Sequence, residues 1–154
     1  MSAKIPPAAR LLQKIFEEHV PFNRLLGLKL ASLDPKAPKL RFDMRPELIG
    51  NPKRQILHGG VISSVLDVMA GVVIHIALLE QSGGAPVDAE GRPQFPNIGT
   101  IDLRVDYLRP GRGAYFVATG RVVRMGKRIA VAHMELENDA GEQIATGSAA
   151  YVVG

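Results

Sequence analysis

Along residues 8–20, apolar Ala8, Leu11, Leu12, Ile15, Phe16 and Val20 recur at three- and four-residue spacing, with Arg10, Gln13, Lys14, Glu17 and Glu18 on the other face. This period predicts an amphipathic helix over about 7–20, opened after Pro6-Pro7 and stopped by Pro21. Two short strand-like runs follow, 27–33 and 39–45, divided by the turn Asp34-Pro35-Lys36-Ala37-Pro38. Residues 47–57 read as a loop punctuated by Gly50 and Asn51-Pro52. A long apolar run over 59–80 predicts a helix that is hydrophobic almost all round and therefore buried. Gly83-Gly84-Ala85-Pro86 ends it, and 83–97 is a polar loop. The remainder alternates with period two: strands over 100–108, 114–124, 128–137 and 143–153, joined by tight Gly-bearing turns. In the first of these, Ile101, Leu103, Val105 and Tyr107 are expected on one side, opposite Asp102, Arg104 and Asp106. Hairpin-linked strands with segregated helices give an α+β fold with a largely antiparallel sheet.

At 154 residues the chain is expected to form one domain over 1–154 with a sizeable core. It contains no Cys, which excludes disulfides, thiolate metal sites and a Cys nucleophile and fits a reducing, cytoplasmic location. No His/Asp/Glu spacing suggests a metal site, and no cofactor is expected. The run 61–79 approaches membrane-spanning length, but Ser63, Ser64, Asp67 and His75 interrupt it. Asp67 alone would cost about 2.5–3.5 kcal/mol in lipid, so no membrane association is expected. The net charge of +4 favours anionic partners. With no Trp and few aromatics beside the basic residues, nucleic acid is not expected among them.

Asp67 is the residue that packing does not explain. Its neighbours three and four positions away are Ser63, Ser64, Ala70 and Gly71, none of them a cation. A carboxylate in so apolar a helix costs several kcal/mol unless it is partnered or protonated, and such costs concentrate at functional sites. Upstream, Leu57-His58-Gly59-Gly60 opens the helix. Glycine there allows close backbone approach and unusual dihedrals, and the first N–H groups of a helix lack internal partners. The Gly59 N–H is thus a candidate donor to a carbonyl oxygen that becomes an oxyanion.

His58-Gly59-Gly60 followed by Asp67, with Thr100-Ile101-Asp102-Leu103-Arg104-Val105-Asp106-Tyr107-Leu108-Arg109-Pro110 downstream, resembles the hotdog-fold acyl-CoA thioesterases of the phenylacetic-acid-degradation type. The resemblance covers roughly 25–153 and implies an antiparallel sheet wrapped around the central helix, with the N-terminal helix an addition. It implies that Asp67 is the general base for water or the nucleophile, that the Gly59 N–H polarises the thioester carbonyl, that His58 shapes the site with Gly60 beside it, and that the Thr100 hydroxyl helps hold the attacking water. Coenzyme A enters only as part of the acyl-CoA substrate. The family usually places Asn or Gln six residues before the histidine; here that position is Pro52, which leaves Asn51 and Gln55 as candidates for the role. Strict alternation puts Thr100 on the polar face of its strand, so a bulge near Gly99 is needed if it is to face the helix. A non-catalytic acyl-CoA-binding domain, or less favourably a hotdog dehydratase, is the alternative.

Gly59 and Asp67 lie eight residues apart, about 12 Å along one helix, too far to meet at one carbonyl. Two antiparallel copies bring Gly59 of one to Asp67 of the other, so a homo-oligomer is expected, a dimer at least, with pairing into a tetramer open. Arg109, Lys127 and Arg128 lie in turns and are candidates for the phosphates of coenzyme A. Leu66, Met69, Val73 and the 83–97 loop are expected to shape the acyl tunnel.

Overall fold

The computed structural model describes residues 6–154. Its N-terminal segment differs from the single helix expected over 7–20. Helix α1 (Pro7–Lys14) widens into a π-turn at Ile15–His19, and Pro21 then opens a second helix, α2 (Pro21–Leu26). Proline needs no N–H partner in a first turn, and it forces the preceding Val20 into an extended conformation, so the chain breaks and restarts at one residue. Gly27, at φ 71°, closes α2 in the left-handed conformation. Glu17, on the expected solvent face, accepts the Leu30 N–H at 2.7 Å and so fastens the π-turn to the sheet.

Strands β1 (Lys29–Ser32) and β2 (Lys39–Asp43) form the first hairpin. The expected loop over 47–57 holds a 3-10 turn (Pro46–Leu48) and a small hairpin of β3 (Ile49–Asn51) and β4 (Ile56–Leu57). Helix α3 (Gly59–Gln81) follows, then β5 (Gly99–Tyr107), β6 (Tyr115–Met125), β7 (Ile129–Asn138) and β8 (Gln143–Val152). Six strands form one antiparallel sheet in the order β1-β2-β6-β7-β8-β5, curled around α3 in the hotdog arrangement.

The close wrap follows from side-chain size. Facing α3, the sheet presents Ala118, Gly120, Ala130, Ala132, Ala145, Gly147 and Ala149, against which the helix sets Leu66, Met69 and Val73. A Cβ on Gly120 would stand 3.3 Å from Met69 and Val73, and one on Gly147 would stand 3.3 Å from Leu66. Small residues on the sheet thus make room for large ones on the helix, as close packing requires. Within one chain, Leu66, Met69 and Val73 are consequently core residues beneath the sheet. Although α3 is long and apolar enough to cross a bilayer, most of its apolar residues are buried against the protein itself.

Strand β5 is an edge strand, and its register slips between Thr100 and Asp102. Ile101 is the extra residue and is 54% exposed, in place of the inward position that alternation gave it. The bulge sits two residues beyond Gly99, and it leaves Thr100 opposite Tyr151, on the helix side.

Candidate functional site

The start of α3 is fixed by three neighbours. Leu57 donates its N–H to Gly111 at 3.0 Å and His58 donates its own to Leu48 at 2.8 Å, which seats the segment against the 109–113 turn and the 3-10 turn. His58 is extended and caps the helix: its Nδ1 accepts the Gly60 N–H at 2.8 Å, so a neutral ring carries its proton on Nε2. The His58 carbonyl accepts from Val61 and Ile62. The Gly59 N–H is left without a partner among the described residues, at the positive end of a 23-residue helix.

The glycines here serve close approach, not unusual dihedrals, since neither Gly59 nor Gly60 has positive φ. A Cβ on Gly60 would lie 2.9 Å from His58 Nδ1, and one on Gly50 would lie 2.5 Å from the His58 Cα. Gly59 is backed by Tyr107, whose hydroxyl donates to the Gly59 carbonyl at 2.9 Å. Ser63 and Ser64 both donate to the Gly60 carbonyl, an ordinary use of hydroxyls within a helix.

Two turns along α3, Asp67 is half-buried and takes part in no ion pair among the described residues. Its partners are hydroxyls. Thr100 donates to Oδ1 at 2.9 Å, and the Tyr151 hydroxyl, 2.6 Å from both Oδ1 and the Asp67 main-chain oxygen, shares its one proton between them. The Tyr151 phenol is held well above its usual pKa, first by burial and then by its bond to Asp67, so it stays a donor across the working pH range. These bonds load Oδ1 and leave Oδ2 open.

Tyr151 was missed in the sequence reading. The signal was available: it is the one aromatic among the small inward residues Ala145, Gly147 and Ala149 of β8, and a buried phenol needs a partner.

Asn51 and Gln55 are not brought to Asp67. The Asn51 side chain accepts from the Arg54 N–H at 3.2 Å, while Gln55 adopts φ 53° and donates to the Pro52 carbonyl at 2.7 Å. Each gives one polar group to the β3–β4 turn. Arg109 donates to the Gln143 carbonyl at 2.8 Å, near the end of β5 that carries Tyr107 and hence Gly59. Lys127 and Arg128 are exposed in the β6–β7 turn, just beyond the cross-strand row Met125, Ala130, Tyr151, Thr100, and so at the Asp67 end. His75 is held apart from this chemistry. It donates from Nδ1 to the Gly71 carbonyl at 2.8 Å, packs edge-on against Phe16 and Phe95, and has its pKa lowered chiefly by burial. A concavity of about 750 Å³ lies on the outer face of the sheet and touches neither Gly59 nor Asp67. Among the described residues no cluster of three metal-ligating side chains occurs.

Comparison with known proteins identifies the family and the fold. The model of the Thioesterase superfamily matches residues 54–145, which spans the helix entrance, α3 and most of the sheet. The medium/long-chain acyl-CoA thioesterase YigI of Salmonella typhimurium is 46% identical over 147 residues, covering 96% of this chain and 94% of that protein. A crystal structure of a Shewanella oneidensis protein related to the thioesterase superfamily superposes with a TM-score of 0.82 at 41% identity, over 96% of this chain and 95% of that one. The Escherichia coli PaaI protein of the phenylacetic acid degradation operon shares the fold, with a TM-score of 0.72 at 20% identity and coverage of 96% and 94%. With a bare amide at one end of its central helix and a hydroxyl-held carboxylate two turns on, this chain belongs to the thioesterase superfamily.

Proposed function

We propose that the chain hydrolyses medium- to long-chain acyl-CoA thioesters, the substrate class in the name of its Salmonella relative, at a site completed by two copies of the chain. The observation that carries this reading is the placement on one helix, about 12 Å apart, of a Gly59 N–H and an Asp67 carboxylate that have, among the described residues, no acceptor and no cation respectively. Neither serves a single carbonyl alone with the other.

Strand β5 supplies the pairing edge. Its Tyr107 end touches Gly59 and its Thr100 end touches Asp67. Antiparallel pairing of two β5 edges therefore sets Gly59 of one copy beside Asp67 of the other. The same operation brings Arg109 of one copy toward Lys127 and Arg128 of the other, where the phosphates of coenzyme A would be held.

Asp67 Oδ2 takes a proton from water as the water oxygen bonds to the thioester carbon. The carbonyl oxygen becomes an oxyanion on the Gly59 N–H. As the carbonyl re-forms, the C–S bond breaks and the sulfur takes the proton held on Asp67, so the carboxylic acid and the thiol of free coenzyme A are released and the carboxylate is restored.

The test mixes two inactive variants. Asp67→Asn removes the base. Gly59→Pro removes the one N–H at the first helical position, where proline fits, and the extended His58 before it suits a following proline. Each alone should lose thiol release from a panel of acyl-CoAs. Co-refolded in equal amounts, they should regain about a quarter of wild-type activity, because half the dimers are mixed and each carries one intact site. No recovery on mixing refutes the shared site, and binding of acyl-CoA without turnover by the wild type refutes hydrolysis.

A further inference from the structure

We propose that Tyr151 is a positioning residue for Asp67, fixing which carboxylate oxygen faces the substrate; this rests on the thioesterase reading above. The Tyr151 hydroxyl lies 2.6 Å from both the main-chain oxygen and Oδ1 of the same aspartate. One phenol therefore ties the side chain to its own backbone and selects a single rotamer. Thr100 adds a second donor to the same Oδ1 at 2.9 Å. With two donors on Oδ1, the lone pairs left to accept a proton from water are those of Oδ2.

The phenol is itself held in place. Tyr151 is 5% exposed, and a Cβ on Gly71, one turn beyond Asp67, would stand 3.7 Å from its hydroxyl oxygen. That is ordinary van der Waals distance, so the ring lies directly against the helix at this turn. Thr100 reaches Oδ1 because of the bulge at Ile101, and Tyr151 because it is Thr100's cross-strand partner in the register. The two donors are thus one feature of the β5–β8 ladder. Held by two donors that belong to the folded sheet, the carboxylate has its geometry set before substrate arrives.

The test compares wild type, Tyr151→Phe and Asp67→Asn by thiol release. Tyr151→Phe keeps the ring and removes only the hydroxyl. Its kcat should fall about 10- to 100-fold, the range for losing a hydrogen bond to a charged group, with KM changed less than about twofold. The acid limb of its kcat/KM profile should move to higher pH, since an ionised carboxylate has lost a donor. Should the Phe variant melt early, site-specific 3-fluorotyrosine at position 151 gives an equivalent reading. A more acidic phenol donates more strongly and should move the acid limb to lower pH.

Wild-type kcat with an unmoved acid limb in Tyr151→Phe, while Asp67→Asn is dead, overturns this inference alone. Full turnover by Asp67→Asn overturns the parent reading and this one together.

Discussion

Replacing Gly60 with alanine sets two opposing effects against each other at the start of α3. The added Cβ would stand 2.9 Å from His58 Nδ1 and 3.2 Å from Cε1, the ring that accepts the Gly60 N–H at 2.8 Å. Ring and methyl cannot share that space, so the imidazole turns away and the cap is lost, at a cost of about 0.5–2 kcal/mol. Alanine in place of glycine within a helix returns up to about 1 kcal/mol. The two nearly cancel, and in a chain of this size a residual of about 1 kcal/mol moves the melting temperature only about 2–4 °C. Turnover has no such compensation. The imidazole cap sets the first turn and with it the direction of the Gly59 N–H. Complete loss of an oxyanion donor costs roughly 100- to 1,000-fold, so a misdirected one should cost at least about tenfold in kcat. Thermal melts and thiol release read the two effects separately, and the absence of Cys removes any protein background from a thiol-reactive chromophore. Full turnover in Gly60→Ala would show that the cap does not aim the amide. A fall of more than about 10 °C in melting temperature would show that the two effects do not offset.

His75 should make stability depend on pH. Its pKa is lowered in the fold, chiefly by burial, so between that lowered value and the ordinary 6.5 the unfolded chain binds the extra proton. Its contribution is fully present above pH 6.5 and drains away as pH falls. His75→Gln should therefore flatten the loss of melting temperature between about pH 7.5 and 5.5, and an unchanged slope would assign that loss to other groups. Replacing both Lys127 and Arg128 with alanine should raise KM for acyl-CoA about tenfold or less while sparing kcat, as expected for exposed phosphate contacts. An unchanged KM in steady-state assays would make these two cations ordinary surface charge.

The sheet, the central helix and the position of Asp67 were legible because each is written in a local period: alternation over β5 to β8, an all-round apolar run over α3, and one carboxylate that interrupts it. The N-terminal break was not, since Pro21 reads equally as a stop or as a start. The choice is made by the tertiary tie from Glu17 to Leu30, thirteen residues away. Thr100 was caught between two rules, strict alternation against a site that needs it inward, and the bulge at Ile101 resolves the conflict through pairing with β8, which no local window contains. Tyr151 lies 84 residues from the carboxylate it holds. Only the strand register joins them. Asn51 and Gln55 look suitable by residue type, and within one chain each gives one polar group to the β3–β4 turn, a local bond that residue type does not announce.

A carboxylate steadied by two hydroxyls has, among the described residues, no counter-charge for dissolved ions to compete with, and the bonds to Thr100 and Tyr151 are short. Raising ionic strength should then leave the chemical step untouched and weaken only the long-range attraction between basic turns and an anionic cosubstrate handle. For this architecture a simple salt titration becomes a way to dissect capture from bond cleavage without changing a single residue.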